Sequence, residues 1–79
     1  MDISALEAFS LVVKQRSFAR AARELNIDPS SISRTISALE DELDMRLFQR
    51  DTRKLTLTEA GTIYHQRVEP LVDELHQAR

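Results

Sequence analysis

A turn between two apolar stripes constrains this chain more than any other feature of its sequence. Asn26 suits the end of a helix because asparagine tolerates the left-handed conformation found there. Asp28 followed by Pro29 favours the start of a new helix, since aspartate caps free N–H groups and proline fits the first helical position. The sequence therefore predicts one helix that ends near residue 25 and another that begins near residue 29.

Apolar residues recur at helical spacing on both sides of this turn. The stripe before the turn consists of Phe18, Ala21, Ala22 and Leu25, and Ser17 is the predicted N-cap. The stripe after the turn consists of Ile32, Ile36, Leu39 and Leu43. Two short helices joined in this way form a helix-turn-helix.

A further helix is predicted ahead of this unit, over about residues 3 to 15. Asp2 is its expected N-cap, and a capping box of Ser4 and Glu7 is an alternative one turn later. Its apolar stripe consists of Ile3, Leu6, Phe9 and Val13, with Ala5 and Val12 beside it.

The helix-turn-helix is followed by the alternating pattern of strands. Phe48 to Arg50 and Lys54 to Leu57 are predicted as short strands joined by a turn. Residues 46 to 54 carry four basic residues and one acidic residue, a net charge of +3. A basic hairpin in this place is a wing. The predicted fold is thus mainly α, a winged helix-turn-helix of three helices and a two-stranded β wing, followed by a long linker or dimerisation helix.

The last predicted helix runs from about residue 59 to the end of the chain, with Thr58 as its cap. Its apolar seam, spaced at intervals of 4, 3, 4 and 3, consists of Tyr64, Val68, Leu71, Leu75 and Ala78. The seam packs either on its own domain or on a second copy of the chain. We favour the dimer, because so long a helix would overhang so small a domain.

Composition limits the possible classes of protein. A chain of 79 residues predicts one domain, which buries only roughly 60% of its unfolded surface and gains from oligomerisation or a further domain. Cysteine is absent and the two histidines lie far apart, so no disulfide, metal or cofactor is expected. No apolar run approaches the ~20 residues of a membrane span, and no secretory signal is visible. A cytoplasmic location is the default expectation.

The charge is unevenly distributed, although the net charge is only −2. Residues 14 to 34 carry five basic and two acidic residues, a net of +3, whereas residues 40 to 44 carry four acidic residues. A DNA-reading helix needs an apolar docking edge, polar or forked side chains near its N-terminus, and no anion near the phosphates. The helix predicted from residue 29 meets these requirements. Its candidate base contacts are Ser30, Ser31, Ser33 and Arg34, of which Arg34 can bind guanine O6 and N7.

These residues also have plainer interpretations. Serines after an N-cap are common on exposed helix starts, and Arg53 and Lys54 at the hairpin tip can be solvated turn residues. At a wing, the two basic residues would reach a minor groove or its phosphates. The combination of serines, arginine and basic hairpin favours DNA.

The whole chain resembles the DNA-binding domain of LysR-type transcriptional regulators. The resemblance rests on "SFARAAREL", "SR" at 33–34, "LE" at 39–40, "LF" at 47–48, Arg50 and "LTEAG" at 57–61. It implies a winged helix-turn-helix over residues 1–58 and a linker helix over 59–79, whose antiparallel pairing makes a homodimer. It also implies a C-terminal sensor domain, absent from this chain, that binds a small-molecule effector.

The resemblance implies roles for individual residues as well. It implies base contacts for Ser30, Ser31, Ser33 and Arg34. It implies a wing contact for Arg53, next to which Lys54 lies in the sequence. It implies phosphate contacts or wing supports for Ser17, Thr35 and Arg50. The dimer contacts, predicted from the seam of the last helix and not from the resemblance, are Tyr64, Val68, Leu71 and Leu75.

Two positions depart from the family pattern. Many relatives have glutamine in place of Pro29, so one base contact is missing here or is replaced by Ser30 or Ser31. Relatives usually have glycine in place of Asp44, at the predicted end of the recognition helix; aspartate tolerates a left-handed conformation less well than glycine.

The sequence thus predicts a dimeric transcription regulator that binds an interrupted palindrome in double-stranded DNA, and not an enzyme. Another winged-helix regulator family is one alternative, and it lacks antiparallel pairing of the last helices. A helical module whose basic faces bind an acidic protein is the other. It predicts no affinity for DNA at moderate salt.

Overall fold

A computed structural model describes residues 2–50 and 55–78. Its elements in chain order are α1 (Ile3–Gln15), α2 (Phe18–Leu25), α3 (Pro29–Leu43), β1 (Phe48–Arg50), β2 (Leu55–Leu57) and α4 (Glu59–Ala78). The two strands pair antiparallel, with Gln49 opposite Thr56. This arrangement confirms the predicted fold class, and the predicted bounds of α1 to α3 and β1 match the observed ones. Lys54 and the predicted turn at 51–53 lie outside the described residues.

The helices begin where the predicted caps lie. Asp2 Oδ1 accepts a hydrogen bond from the Ala5 amide at 2.8 Å. Ser17, Asp28 and Thr58 each cap the helix that follows them, at distances of 3.1, 3.1 and 2.9 Å. The alternative box at Ser4 is not used, because α1 has already begun at Ile3.

The first three helices end in the left-handed conformation on non-glycine residues. The φ angles are 56° at Arg16, 60° at Asn26 and 54° at Asp44. After α3, the Asp44 amide donates to the Asp41 carbonyl at 3.2 Å and the Met45 amide to the Glu40 carbonyl at 3.1 Å. These two bonds form a Schellman motif, which satisfies carbonyls that the helix itself leaves free.

Replacing Asp44 with glycine is expected to raise the free energy of unfolding by about 0.5–1 kcal/mol, because glycine adopts positive φ without steric cost. Asp44→Ala is the matched control and should lower it, since alanine lacks the local hydrogen bonding that helps aspartate tolerate this conformation. Urea denaturation measures both. An alanine variant as stable as the glycine variant would show that backbone conformation does not control stability at this position.

The core forms around α1. Phe9 is fully buried, and its ring centroid lies 5.6 Å from those of Phe48 and Tyr64. Phe48 also contacts the ring of Phe18 at 5.7 Å, which joins β1 to α2. Two members of the predicted stripes lie outside this core: Ile3 is 50% exposed and Leu25 is 39% exposed. Ile3 is the first residue of α1, and Leu25 is the last residue of α2.

The inner face of α4 packs on this same core. Gly61, Val68 and Val72 are buried, and Tyr64 is half-buried beside Phe9. At the far end of α4, His76 Nε2 lies 3.2 Å from Glu7 Oε2 on α1. Within residues 2–50 and 55–78, no helix is long and apolar enough to cross a membrane.

This packing corrects part of the predicted dimer seam. Val68 is 3% exposed in the single chain, so its side chain is already covered by its own domain. The predicted seam, spaced at 4, 3, 4 and 3, combines residues of the inner face with residues of the outer face. Leu71 is 55% exposed and lies on the outer face, as does Ile63 at 49%, while Leu75 is half-buried.

Candidate nucleic-acid interface

Helix α3 has one buried edge and one polar face. Ile32 and Ile36 are fully buried and Leu39 is 1% exposed, so the helix docks on its own domain along the predicted edge. Ser30 and Arg34 are exposed on the other side, and Ser31, Ser33 and Thr35 are half-buried. The four residues predicted to contact bases therefore stand together in the first two turns of one helix.

The hydroxyl of Ser30 is oriented by the N-cap of its own helix. Its Oγ donates to Asp28 Oδ2, which also accepts from the Ser30 amide at 3.1 Å. The hydroxyl proton is thus engaged with Asp28, which leaves the oxygen lone pairs of Ser30 to accept hydrogen bonds from outside.

The Asp28 carboxylate remains charged in the neutral pH range. The hydrogen bond from the Ser30 side chain lowers the pKa of Asp28, and the Ser30 amide and the nearby Arg34 charge act in the same direction. A carboxyl whose pKa is lower in the folded state stabilises the fold above its unfolded pKa. That contribution is lost as the pH falls through the folded pKa.

Arg34 and Ser31 are neighbours on the exposed face. Arg34 Nη2 donates to Ser31 Oγ at 3.3 Å, a long bond between exposed groups that a stronger partner can replace. Thr35 Oγ1 donates to the Ser31 carbonyl at 3.0 Å within the helix. The Thr35 hydroxyl is therefore directed along α3, and its predicted phosphate contact stays a prediction.

The other predicted DNA contacts are less fully placed. Ser17 Oγ accepts from the Arg20 amide at 3.1 Å, so this side chain caps α2. For Arg50 the structure describes the backbone, in β1, and not the side chain. Arg53 and Lys54 lie outside the described residues. Their roles stay predictions.

The acidic residues at the end of α3 are not all exposed to solvent. Asp41 and Glu42 are exposed, but Glu40 is only 4% exposed. Its Oε2 accepts from the amides of Leu47 at 2.8 Å and Phe48 at 3.3 Å. Its Oε1 lies 3.5 Å from Nη1 of Arg46, whose side chain is 71% exposed.

Helical spacing could have revealed this role of Glu40. Residues 32, 36 and 40 recur at intervals of four, so Glu40 continues the edge that begins with Ile32 and Ile36. Its acidic neighbours in sequence, Asp41 and Glu42, do not share this edge and are exposed. A charged residue on a buried edge indicates specific hydrogen-bond donors opposite it, and here these are two backbone amides.

Comparison with known proteins shows where this arrangement recurs. The profile of the bacterial regulatory helix-turn-helix proteins of the lysR family matches residues 3–62, which include α1, both helices of the helix-turn-helix, and the hairpin. The chain belongs to the lysR family. This is a family of regulatory proteins and not of enzymes.

Individual lysR-family relatives match almost the whole chain. The transcriptional activator AaeR of Escherichia coli (strain K12) is 47% identical over 70 residues, which cover 89% of this chain and 23% of AaeR. The DNA-binding domain of BenM has been solved in complex with catB site 1 DNA. It superposes with a TM-score of 0.92 at 33% sequence identity, and the alignment covers 99% of this chain and 88% of the BenM chain.

Full-length AphB, a virulence activator of Vibrio cholerae, has a TM-score of 0.93 at 40% identity; 99% of this chain covers 27% of it. The chain thus spans about a quarter of the length of the curated relatives that it matches.

Proposed function

We propose that this chain binds double-stranded DNA sequence-specifically as the DNA-binding part of a dimeric lysR-family transcription regulator. The observation that carries the proposal is the two-sided character of α3. Its apolar edge is buried, and Ser30, Ser31, Ser33 and Arg34 project from its first two turns. This helix enters the major groove, where base edges are distinguishable. The solved complex of the similar BenM domain with DNA supports this function.

The wing, defined here as β1, β2 and the residues between them, contacts the minor groove or the backbone beside that major groove. Arg50, Arg53 and Lys54 supply its positive charge. Phosphate contacts of this kind set affinity and register, whereas contacts in the major groove set sequence preference.

Two copies pair through α4 and bind an interrupted palindrome. The exposed Ile63 and Leu71 on the outer face of α4 support this pairing, because they are apolar and their own domain leaves them uncovered. Regulation by a small-molecule effector belongs to a sensor domain outside this chain, and that assignment rests on the family resemblance alone. A regulator of this kind acts in the cytoplasm.

Fluorescence anisotropy on a duplex selected from a random library, with a scrambled duplex beside it, tests the proposal. Arg34→Ala is expected to reduce discrimination between the two by about 1–3 kcal/mol per half-site, because the paired hydrogen bonds to guanine are lost. Lys14→Ala, which removes a charge from an exposed position on α1, is the matched control and should preserve discrimination.

Salt dependence separates this function from its alternative. For a DNA-binding domain, the logarithm of the affinity should fall with the logarithm of salt concentration, with a slope of about −0.9 per phosphate contact. If wild type selects no sequence and binds both duplexes equally weakly, the DNA-reading proposal is wrong. Binding to an acidic protein would then be the function to test.

A further inference from the structure

The geometry points to Glu40 as a positioning residue that holds the wing in register with the recognition helix α3, and so makes the DNA contacts of the wing possible. The inference rests on the proposed function, because it assumes that the wing contacts DNA. Glu40 itself does not contact DNA in this proposal.

Glu40 links the two elements through hydrogen bonds. It lies in the last turn of α3, while its two amide donors, Leu47 and Phe48, lead into and begin β1. Leu47 is fully buried and Phe48 is 2% exposed, so water does not replace the carboxylate as their acceptor. Amide bonds to a buried, charged acceptor are shorter and stronger than neutral ones, and they fix direction as well as distance.

The register set at Phe48 extends across the hairpin. Phe48 pairs with Leu57, Gln49 with Thr56, and Arg50 with Leu55. Each strand has three residues, and a pair this short has little stability of its own. The position of the hairpin relative to α3 therefore depends on its anchorage at residues 47 and 48.

The opposite side of this anchor is held as well. Thr58, which caps α4, donates from its amide to the Leu47 carbonyl at 3.0 Å and from its hydroxyl to the Arg46 carbonyl at 2.5 Å. These bonds tie the hairpin to α4, whereas the Glu40 bonds tie it to α3. Loss of Glu40 should therefore loosen the position of the wing relative to the recognition helix, while the bonds of Thr58 still attach the wing to the fold.

The test measures whether wing contacts depend on Glu40. Arg53→Ala is made in wild type, in Glu40→Gln and in Glu40→Ala, and the salt slope of DNA affinity is measured for each at a temperature where circular dichroism shows folded protein. In wild type, Arg53→Ala should lower the magnitude of the slope by about 0.9 per half-site, the value of one phosphate contact. In the Glu40→Ala background, Arg53→Ala should lower the magnitude of the slope by less than half as much. In the Glu40→Gln background its effect should be intermediate, because glutamine keeps an acceptor and loses the charge.

Two controls separate positioning from general stability. Arg34→Ala should reduce sequence discrimination equally in all three backgrounds, because α3 keeps its buried apolar edge. Arg46→Ala, which removes the exposed partner of Glu40, should leave the full effect of Arg53→Ala.

If Arg53→Ala has the same effect in every background while Glu40 variants only lose stability, Glu40 is purely structural and the inference is wrong, although the wing proposal stands. If Arg53→Ala changes nothing even in wild type, the wing contact proposed above is wrong and the inference falls with it. Should Glu40→Ala fail to fold, the comparison of wild type with Glu40→Gln decides the matter.

Discussion

Replacing Gly61 with alanine should lower the free energy of unfolding by about 3 kcal/mol, although alanine is the better helix former by about 1 kcal/mol. A Cβ at this position would lie 2.0 Å from the Leu47 carbonyl oxygen and 2.9 Å from its carbon. Both are backbone atoms, and the same oxygen accepts from the Thr58 amide, so it cannot move away without breaking that bond. In a domain of this size, the loss corresponds to a fall in Tm of roughly 10–20 °C.

The matched control uses an exposed position on the same helix. Gln66→Gly and Gln66→Ala differ by the same methyl group, and there alanine should be the more stable variant by about 1 kcal/mol. Calorimetry on the four proteins measures both differences. If Gly61→Ala is as stable as wild type, the close approach of α4 to Leu47 is not a constraint on this fold.

Phe9→Ala should have an effect of similar or greater size, about 3–5 kcal/mol, because it removes a fully buried ring from the centre of the core. The Phe9 ring contacts rings on both sides: Phe48 from β1, and Tyr64 and His65 from α4. Its removal leaves a cavity between three elements, and helix α1 cannot close it without leaving α2 and α3.

Phe18→Ala provides the comparison for Phe9→Ala in urea denaturation. Phe18 is half-buried and its ring contacts that of Phe48, so truncation there should cost clearly less. Phe9→Leu, which keeps most of the apolar volume, should recover much of the loss. Equal losses for Phe9→Ala and Phe18→Ala would contradict the central place of Phe9 in the core.

Local chemistry was predictable from the sequence. Asp2, Ser17, Asp28 and Thr58 each cap a helix that starts at the next residue, so the cap and the groups that it satisfies are neighbours in the chain. The buried edge of α3 was predictable for a similar reason, because helical spacing alone places Ile32, Ile36 and Leu39 on one side.

Contacts between elements were not predictable in the same way. Helical spacing places Glu40 on the buried edge of α3, but its donors lie seven and eight residues further along the chain, beyond the end of the helix, and no local pattern identifies them. The spacing in α4 showed which residues are apolar but not which surface covers each one. The predicted seam therefore combined Val68, which is buried in the core, with Leu71, which is exposed.

The attachment of α4 at both ends has a mechanical consequence. Gly61 lies against Leu47 at the start of this helix, and His76 contacts Glu7 on α1 near its end. Because both ends of α4 are attached, the helix and the rest of the domain should turn together as one rigid unit. A helix of 20 residues is about 30 Å long, so a rotation of about 10° at one end displaces the other by about 5 Å. Successive bases are only about 3.4 Å apart along a strand. In the dimer proposed above, a change of this size in the angle between the two α4 helices would shift the far end of each helix by more than one base step.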